Sequence, residues 1–258
     1  MTVREFYKIL NEKISKDLSF EWDNDGLMCC PDSNREVKSV LVALDVTREV
    51  VEIAIKGGYD VILSHHPFVF KGIKSIDDKG AVSSKAIALI REGISVMSFH
   101  TRLDSMQGGV NDKLCELLNL TNIEPVFEDG IPLGRIGMLE NEMSASEFAR
   151  AVKKVLGAPF VLLSDAGIAV KKVAVIGGSG KDCLGAVSAQ GADTFVSGRL
   201  DYHLMTDVQD LIDNPINLIE AGHFYTEAPV CEVLLDMVAE IDSDIVCDIC
   251  NSNVIKAI

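Results

Sequence analysis

The chain has 258 residues, 48% of them hydrophobic and 24% charged, and its formal net charge is −15. This length and apolar content suffice for a full hydrophobic core, in one large domain or two smaller lobes. The acidic balance excludes nucleic acid and anionic membranes as default partners, and no apolar run is long enough to predict a membrane span.

The cysteines and the N-terminal residues indicate the compartment. The segment Met1–Lys8 mixes apolar and charged side chains and has no apolar signal core. Seven cysteines are an odd number, which favours free thiols over a disulfide framework. Cys247 and Cys250 form a Cys-x-x-Cys pair, but no second pair completes a zinc or redox motif. We therefore expect a cytoplasmic protein.

Helix and strand patterns alternate along the first half of the chain. A helix is predicted over 2–15, and the strand over 37–45 is apolar on both faces, as in a sheet covered on both sides. A helix over 47–56, capped by Thr47, leads to a strand over 60–64. This βαβ unit should have parallel strands. Three more elements are predicted: a helix over 82–91, a strand over 94–99 and a helix over 110–118.

Two further segments differ from this pattern. Trp22, the only tryptophan, lies in the turn-rich stretch 21–27, and from composition we expect a loop held by a buried indole. Residues 121–165 form a connecting region in which Ser144 and Glu147 make a capping-box pattern. Its predicted elements are strands over 134–140 and 159–163 and a helix over 144–156.

From Val170 the first pattern returns. The strand over 170–176 echoes 37–43, and Gly-Ala-Asp at 191–193 echoes Gly-Tyr-Asp at 58–60. A helix is predicted over 183–190, before the glycine of this second motif, and the strands predicted over 194–197 and 216–220 match those at 61–64 and 94–99. A helix over 227–240 and a strand over 245–247 close the chain. We interpret this repetition as an internal duplication of an α/β unit.

All five histidines fall at or just past the ends of predicted strands: His65, His66, His100, His203 and His223. Ligand sites in parallel sheets collect at the carboxyl ends of strands. A single histidine there is more often a hydrogen-bonded core or rim residue. The inference of a metal site therefore depends on all five histidines occurring at such strand ends. We interpret the five as one converging site that holds metal.

The spacing of these residues favours two metal ions. Adjacent residues in extended backbone point in different directions, so His65 and His66 suit two neighbouring ions better than one. Asp104 follows His100 by four residues, and Glu227 follows His223 by the same offset. The set then offers three imidazoles and two carboxylates: His65, His66, Asp104, His223 and Glu227.

Other motifs carry less information. The stretch Gly177–Lys181 is rich in glycine but lacks the P-loop spacing, and we expect a tight strand-to-helix connection. Four cations lie within a few residues of the histidine motifs and are either phosphate ligands or plain surface charge: Lys71, Lys74, Arg102 and Arg199.

These motifs together resemble the NGG-interacting-factor-three-like family, whose members are called GTP cyclohydrolase I type II homologues. The resemblance extends over nearly the whole chain, and its motifs occur in the family's order. They are Trp22–Leu27 (WDNDGL), Ser64–Pro67 (SHHP), His100–Asp104 (HTRLD), Gly198–His203, and Gly222–Glu227 (GHFYTE). Members of this family usually have an acidic residue directly after the first glycine of the fourth motif, whereas this chain has Arg199 there.

The resemblance implies an α/β fold of two similar interlocked lobes with a dinuclear metal cleft between them, and a toroidal homohexamer. It implies that His65 and Asp104 hold one metal, that His66 and His223 hold the other, and that Glu227 bridges. His100 would be the catalytic, proton-handling group and His203 a rim residue, with the Trp22 loop near the cleft. The lobes are predicted over 1–125 and 166–258, joined by the connecting segment 126–165.

The expected function is that of a dinuclear metal-dependent hydrolase, similar to GTP cyclohydrolase I type II. Metal-activated water would attack a nucleotide or a similar small phosphorylated substrate. The donor set admits zinc, iron or manganese as the two divalent ions. The alternative is a metal-binding adaptor or metal chaperone that acts through protein contacts.

Overall fold

Short apolar strands and amphipathic helices alternate along the chain, as the sequence predicts. The computed structural model describes residues 1–210 and 213–258. Its strands are β1 Gly26–Cys29, β2 Ser39–Ala43, β3 Val61–Ser64, β4 Ser95–Ser98, β5 Thr121–Glu128, β6 Ile131–Met143, β7 Leu162–Ser164, β8 Val170–Ser179, β9 Thr194–Arg199, β10 Asn217–Glu220 and β11 Val246–Cys250. Its α-helices are α1 Val3–Lys13, α2 Arg48–Gly57, α3 Ser83–Glu92, α4 Thr101–Ser105, α5 Val110–Leu117, α6 Ala145–Val155, α7 Leu184–Ala189, α8 Tyr202–Asp207, α9 His223–Glu227 and α10 Val230–Ile241.

The chain divides into two compact units. The first unit comprises Met1–Leu103 and Val230–Lys256, and the second comprises Asp104–Pro229 with Ala257–Ile258. These units differ from the predicted lobes 1–125 and 166–258. The physical reason is strand pairing between distant segments: β11, near the C-terminus, pairs in parallel with β2 of the first unit. α5, which was predicted in the first lobe, belongs to the second unit.

The sheet of the first unit has the order β1-β4-β3-β2-β11. Strands β2, β3 and β4 run parallel, and β1 pairs antiparallel with β4 at the edge. Every residue of β3 and β4 is buried, which is why these strands read as apolar runs without alternation. The predicted βαβ unit over 37–64 is therefore confirmed, including its parallel pairing.

The sheet of the second unit has the order β5-β6-β8-β9-β10-β7. Strands β8, β9 and β10 are parallel, whereas β5, β6 and β7 add antiparallel pairs at the two sides. β5 was not predicted. Seven of its eight residues lie outside the buried class, because it is an edge strand and carries no apolar run.

Helix ends follow the predicted capping signals. Thr47 caps α2, and Gly58 ends that helix in the left-handed conformation at φ 68°. Ser144 and Glu147 form the predicted capping box of α6. Thr2 and Glu5 form a second capping box, at α1. Among the residues that the structure describes, no helix is long and apolar enough to cross a membrane.

One carboxylate has the same role in each unit. Asp60 accepts hydrogen bonds from the backbone N–H groups of Lys38 and Ser39, at 2.8 and 3.1 Å. Asp193 accepts from the N–H groups of Lys171 and Lys172, at 2.9 and 2.6 Å. The two aspartates precede β3 and β9 and hold the start of the preceding parallel strand. The repeated sequence pattern thus has a counterpart in hydrogen bonding.

Candidate metal centre

The first two histidines follow β3 directly, and each has its Nδ1 bound to an oxygen acceptor. His65 is fully buried, and its Nδ1 lies 3.0 Å from the carbonyl oxygen of Phe99. Nδ1 of His66 lies 2.7 Å from Oδ1 of Asp45. Asp45 is the second residue after the end of β2. Since a carbonyl and a carboxylate accept, Nδ1 carries the proton in both rings. The lone pair of each imidazole is then on Nε2, which is the arrangement of histidines that bind metal.

His100 follows β4 and repeats this arrangement. Its Nδ1 lies 2.8 Å from Oδ1 of Asp23. The other carboxylate oxygen of Asp23 accepts from the backbone N–H and the hydroxyl of Thr101, at 3.1 and 2.7 Å. Burial alone would raise the pKa of Asp23, but the hydrogen bonds from His100 and Thr101 outweigh it and lower the pKa to about 2. Asp23 is therefore ionised and holds the ring of His100 in place.

The three imidazoles form one group. His65, His66 and His100 each offer a ring nitrogen, and these atoms lie within 4.8 Å of one another. Their ring centroids are 5.0 to 5.7 Å apart. Neutral imidazole is a ligand for zinc, iron and other transition metals. The first unit thus contains a histidine cluster that could hold a metal ion.

The second unit contains a group of its own, made of a histidine and two carboxylates. α9 begins at His223, with Gly222 as its N-cap, so the predicted helical face is present. Nε2 of His223 lies 2.9 Å from Oε2 of Glu227, one turn further on. Asp104 and Glu227 are both buried, and each offers a carboxylate oxygen within 4.8 Å of the other. Glu227 is thus central to this second group, since it lies beside both other side chains.

Two glycines at the ends of the parallel strands make room for α9. A Cβ at Gly178 would lie 2.1 Å from Oε1 of Glu227, and this residue has φ +64°. A Cβ at Gly198 would lie 2.4 Å from Oγ1 of Thr226. The stretch Gly177–Lys181 was expected to form only a tight connection. In the structure it also lets Glu227 approach the end of β8 closely.

The indole of Trp22 is not buried, contrary to the expectation from composition. Trp22 is 61% exposed. The loop is held instead by the two carboxylates that flank Asn24: Asp23 binds His100 and Thr101, and Asp25 accepts from Nε of Arg102 at 2.9 Å. Buried polar groups need partners, and these aspartates supply them. Within the first unit the loop lies beside the histidine cluster, with the rings of Trp22 and His100 6.2 Å apart.

The four cations have different environments. Arg102 is fully buried, with Asp25, Asn11 and the carbonyl of Ile14 as hydrogen-bond partners, so it supports the fold and is not a phosphate ligand. The exposed cations are Lys71, Lys74 and Arg199, and Arg199 ends β9. Sequence spacing could not separate these cases, because a buried and an exposed arginine look alike without their partners.

His203 lies outside both groups. It is exposed on α8, with its ring against Tyr202 at 5.6 Å. The interpretation that all five histidines converge on one site is therefore not supported for His203. Cys247 and Cys250 lie on β11 as free thiols, and within the described residues they belong to none of the groups that could hold a metal.

Sequence reasoning missed Asp23 and Asp45 as partners of the histidines. Asp45 carried a usable signal: it ends the predicted strand over 37–45, which is parallel to the strand that delivers His66. The carboxyl ends of neighbouring parallel strands lie together, so this signal could have placed Asp45 near the histidine pair. Asp23 had no such signal, because it lies 77 residues from His100 in a loop.

The fold and these groups define an α/β protein with two sheets and with histidine and carboxylate groups that could bind metal. The model of the family Duf34/NIF3 (NGG1p interacting factor 3) matches residues 1–257. A relative from Clostridium perfringens, called GTP cyclohydrolase 1 type 2 homolog, is 32% identical over 253 residues, 95% of this chain and 94% of its own length. The chain belongs to the Duf34/NIF3 family.

Further relatives agree with this assignment. A protein from Methanocaldococcus jannaschii with the same name is 32% identical over 230 residues, 88% of this chain and 90% of its own. The crystal structure of a hypothetical protein from Staphylococcus aureus has a TM-score of 0.90 at 28% identity, covering 100% of this chain and 99% of the other. Reduced HcgD from Methanocaldococcus jannaschii has a TM-score of 0.82 at 29% identity, and the match covers 96% of this chain and 97% of the other.

Proposed function

We propose that this protein is a dinuclear metal-dependent hydrolase that acts on a nucleotide or a similar small phosphorylated substrate. The observation that carries the proposal is the common state of the three clustered imidazoles. Each Nδ1 donates to a fixed oxygen acceptor, so each Nε2 has the lone pair that a metal needs. A cluster of core histidines that only stabilised the fold would not require one uniform tautomer.

The proposed ligands are three histidines and two carboxylates. His65 and Asp104 would hold one ion, His66 and His223 the other, and Glu227 would bridge the two. The fit rests on the chemistry of the donors: neutral imidazoles and carboxylates suit zinc, iron or manganese. The buried position of Glu227 beside Asp104 and His223 supports its role as the shared ligand.

When bound, two such ions would lower the pKa of a water molecule toward neutrality and polarise the bond under attack. The chain itself would supply His100 as the group that moves a proton. Its Nδ1 donates to Asp23, which orients the ring and leaves Nε2 to accept a proton from the attacking water. Asp23 would also stabilise the imidazolium that forms, because its carboxylate is ionised.

The substrate class is supported by the name of the relatives, which are called GTP cyclohydrolase 1 type 2 homologs. A reaction of that kind would open the imidazole ring of GTP by attack of water on an electrophilic carbon. Hydrolysis of a phosphoester or an amide would use the same residues.

A second candidate function is that of a metal-binding adaptor or metal chaperone acting through protein contacts. The description of the family as an interacting factor favours it. The two functions differ in what the metal does. An enzyme loses turnover when a ligand such as His65 is replaced while the fold persists, whereas an adaptor retains partner binding under the same change.

Two further features of the architecture belong to this proposal. The matching roles of Asp60 and Asp193 support an internal duplication as the origin of the two units. We also propose a cytoplasmic homohexamer, on the resemblance to the family.

The test is metal content by mass spectrometry, on protein purified without chelator or added metal. Wild type should carry about two ions per chain, and the double variant His66→Ala with Glu227→Ala almost none. His203→Ala is the matched control, because it removes an exposed imidazole that lies outside both groups. GTP hydrolysis, followed by chromatography of the products, should be lost with the metal.

Two results would overturn the proposal. Wild type that stays empty after incubation with zinc, iron and manganese would exclude a metal centre. Full metal content without turnover on any nucleotide, phosphoester or amide tested would favour the adaptor.

A further inference from the structure

Two exposed aromatic side chains border the histidine cluster of the first unit. Trp22 and Phe70 are 61% and 47% exposed, and their rings meet edge to face with centroids 6.2 Å apart. Each also meets the imidazole of His100 edge to face, at 6.2 and 6.1 Å. Phe20 stacks on Trp22 at 5.6 Å. Phe20, Trp22 and Phe70 are called the aromatic platform below.

Hydrogen bonds hold the platform in place. The side-chain amide of Asn24 donates to the carbonyl of Val69, which joins the segment of Trp22 to the segment of Phe70. The N–H of Phe20 donates to the hydroxyl oxygen of Thr101 at 3.2 Å. These bonds fix the spacing of the rings before any ligand arrives, which reduces the entropic cost of binding.

Exposure of the two clustered rings Trp22 and Phe70 is costly unless they contact a ligand, because each presents a large apolar area to water. We infer that the aromatic platform binds a planar nitrogen heteroaromatic ring, such as a nucleobase, and holds it beside His100. The inference rests on the proposed function and deepens it, since it names the part of the substrate that is recognised. Stacking on aromatic side chains accepts any base, because every base has a π-face.

The charge around the platform fits such a substrate. Lys71 follows Phe70 directly, Lys74 follows three residues later, and both are exposed. In a chain with a net charge of −15, these two exposed lysines lie within four residues of Phe70 in the sequence, whereas the residue before Trp22 is the exposed Glu21. Either lysine could pair with a phosphate group attached to the stacked ring.

Because Trp22 is the only tryptophan, its fluorescence reports on the platform directly. Metal-free protein is titrated with guanosine, adenosine, cytidine, GMP and ribose 5-phosphate at millimolar concentrations. Nucleosides and GMP should quench the emission with saturation. Ribose 5-phosphate, which has the sugar and the phosphate but no ring, should not.

Calorimetry with GMP then tests the individual rings. Trp22→Ala and Phe70→Ala should each weaken binding by roughly 5- to 150-fold, the loss expected for one stacking partner. Trp22→Phe should recover part of that loss. Phe127→Ala is the matched control, because Phe127 is an aromatic residue of similar exposure, 51%, that belongs to the second unit and is not part of the platform. It should bind GMP like wild type.

The inference is wrong if no nucleoside quenches the emission, or if ribose 5-phosphate binds as well as GMP. It is also wrong if Trp22→Ala and Phe70→Ala dissociate an oligomer and leave GMP binding intact, because a second copy of the chain would then cover the platform.

Failure of the hydrolase proposal gives a different result. Quenching by nucleosides in a protein that binds no metal would overturn the hydrolase alone, whereas GTP turnover unchanged in both alanine variants would overturn the platform alone.

Discussion

Nδ1 of His100 lies 2.8 Å from Oδ1 of Asp23, although 77 residues separate them in the chain. The bond fixes which nitrogen of His100 carries the proton, and it ties the loop that carries Trp22 to the end of β4. One carboxylate thereby orients the proposed proton carrier and positions the aromatic platform. This double role leads to the first prediction.

Asp23→Asn should destabilise the metal-free protein, and the effect should depend on pH. The folded-state pKa of Asp23, about 2, lies below the ordinary value of 3.8. The ionised carboxylate therefore contributes to the free energy of unfolding above a pH of about 4, and this contribution is lost as the pH falls through about 2. Its size follows from the shift and is about 2 kcal/mol.

Urea unfolding of wild type and Asp23→Asn over this pH range measures the effect. The difference in unfolding free energy should narrow as the solution becomes more acidic. Asp78→Asn, a change of the same kind at an exposed position, should show no such narrowing. A difference that is constant with pH would contradict the assigned pKa.

Asp45→Asn should weaken metal binding without removing a ligand. Asp45 accepts the Nδ1 proton of His66 and so fixes the tautomer that leaves Nε2 for the metal. Loss of such a partner typically lowers metal affinity by about 10- to 100-fold. Competition with a chromophoric chelator measures the affinity.

Asp248→Asn is the control for this experiment, because Asp248 accepts a hydrogen bond from Tyr59 in the same unit and contacts none of the clustered histidines. It should bind metal like wild type. Equal affinity in Asp45→Asn and Asp248→Asn would mean that His66 is not a ligand.

Gly178→Ala should disrupt the position of Glu227. The new Cβ would lie 2.1 Å from Oε1 of Glu227 and 3.3 Å from Cε1 of His223, at a residue with φ +64°. Such backbone strain costs on the order of 1–3 kcal/mol. We expect lower metal content and a lower melting temperature. Gly185→Ala, at a helical position with open space, should keep its metal and be slightly more stable.

Asp60→Asn and Asp193→Asn should destabilise the protein to a similar extent. Each carboxylate accepts two backbone N–H groups, and loss of charge-assisted hydrogen bonds costs about 1.5–3 kcal/mol. Burial would raise the pKa of Asp60, but the hydrogen bonds from Lys38 and Arg35 lower it below the ordinary range. The stabilisation by Asp60 is thus present at neutral pH and lost in acid.

Thermal unfolding at neutral and acidic pH measures both variants, with Asp182→Asn as the exposed control. A large effect at one aspartate only would weaken the case for a duplicated unit.

Local patterns predicted most of the helices and strands. The caps Thr47 and Ser144 hold helices where the sequence signals place them, and the apolar runs at β3 and β4 are buried strands. β5 was missed because an edge strand exposes most of its residues and shows no apolar run. Signals of this kind depend on neighbours within a few residues, which the sequence contains.

Partner choice over long distances was not predictable in the same way. Trp22 was expected to be buried and is exposed, whereas Arg102 was grouped with surface cations and is fully buried against Asp25. Burial of an indole or a guanidinium depends on which distant groups meet it. β11 was assigned to the second lobe for the same reason, because its pairing with β2 joins segments about 200 residues apart.

The sequence by itself determined the class of fold, the positions of His65, His66 and His100 at strand ends, and the resemblance to the family, because periodicity, spacing and motif order are local properties. Only the tertiary structure decided which oxygens hold those imidazoles. Asp23 and Asp45 become partners of histidines through packing between segments far apart in the chain. Those carboxylates set the tautomers, and the tautomers decide whether a group of histidines can bind metal.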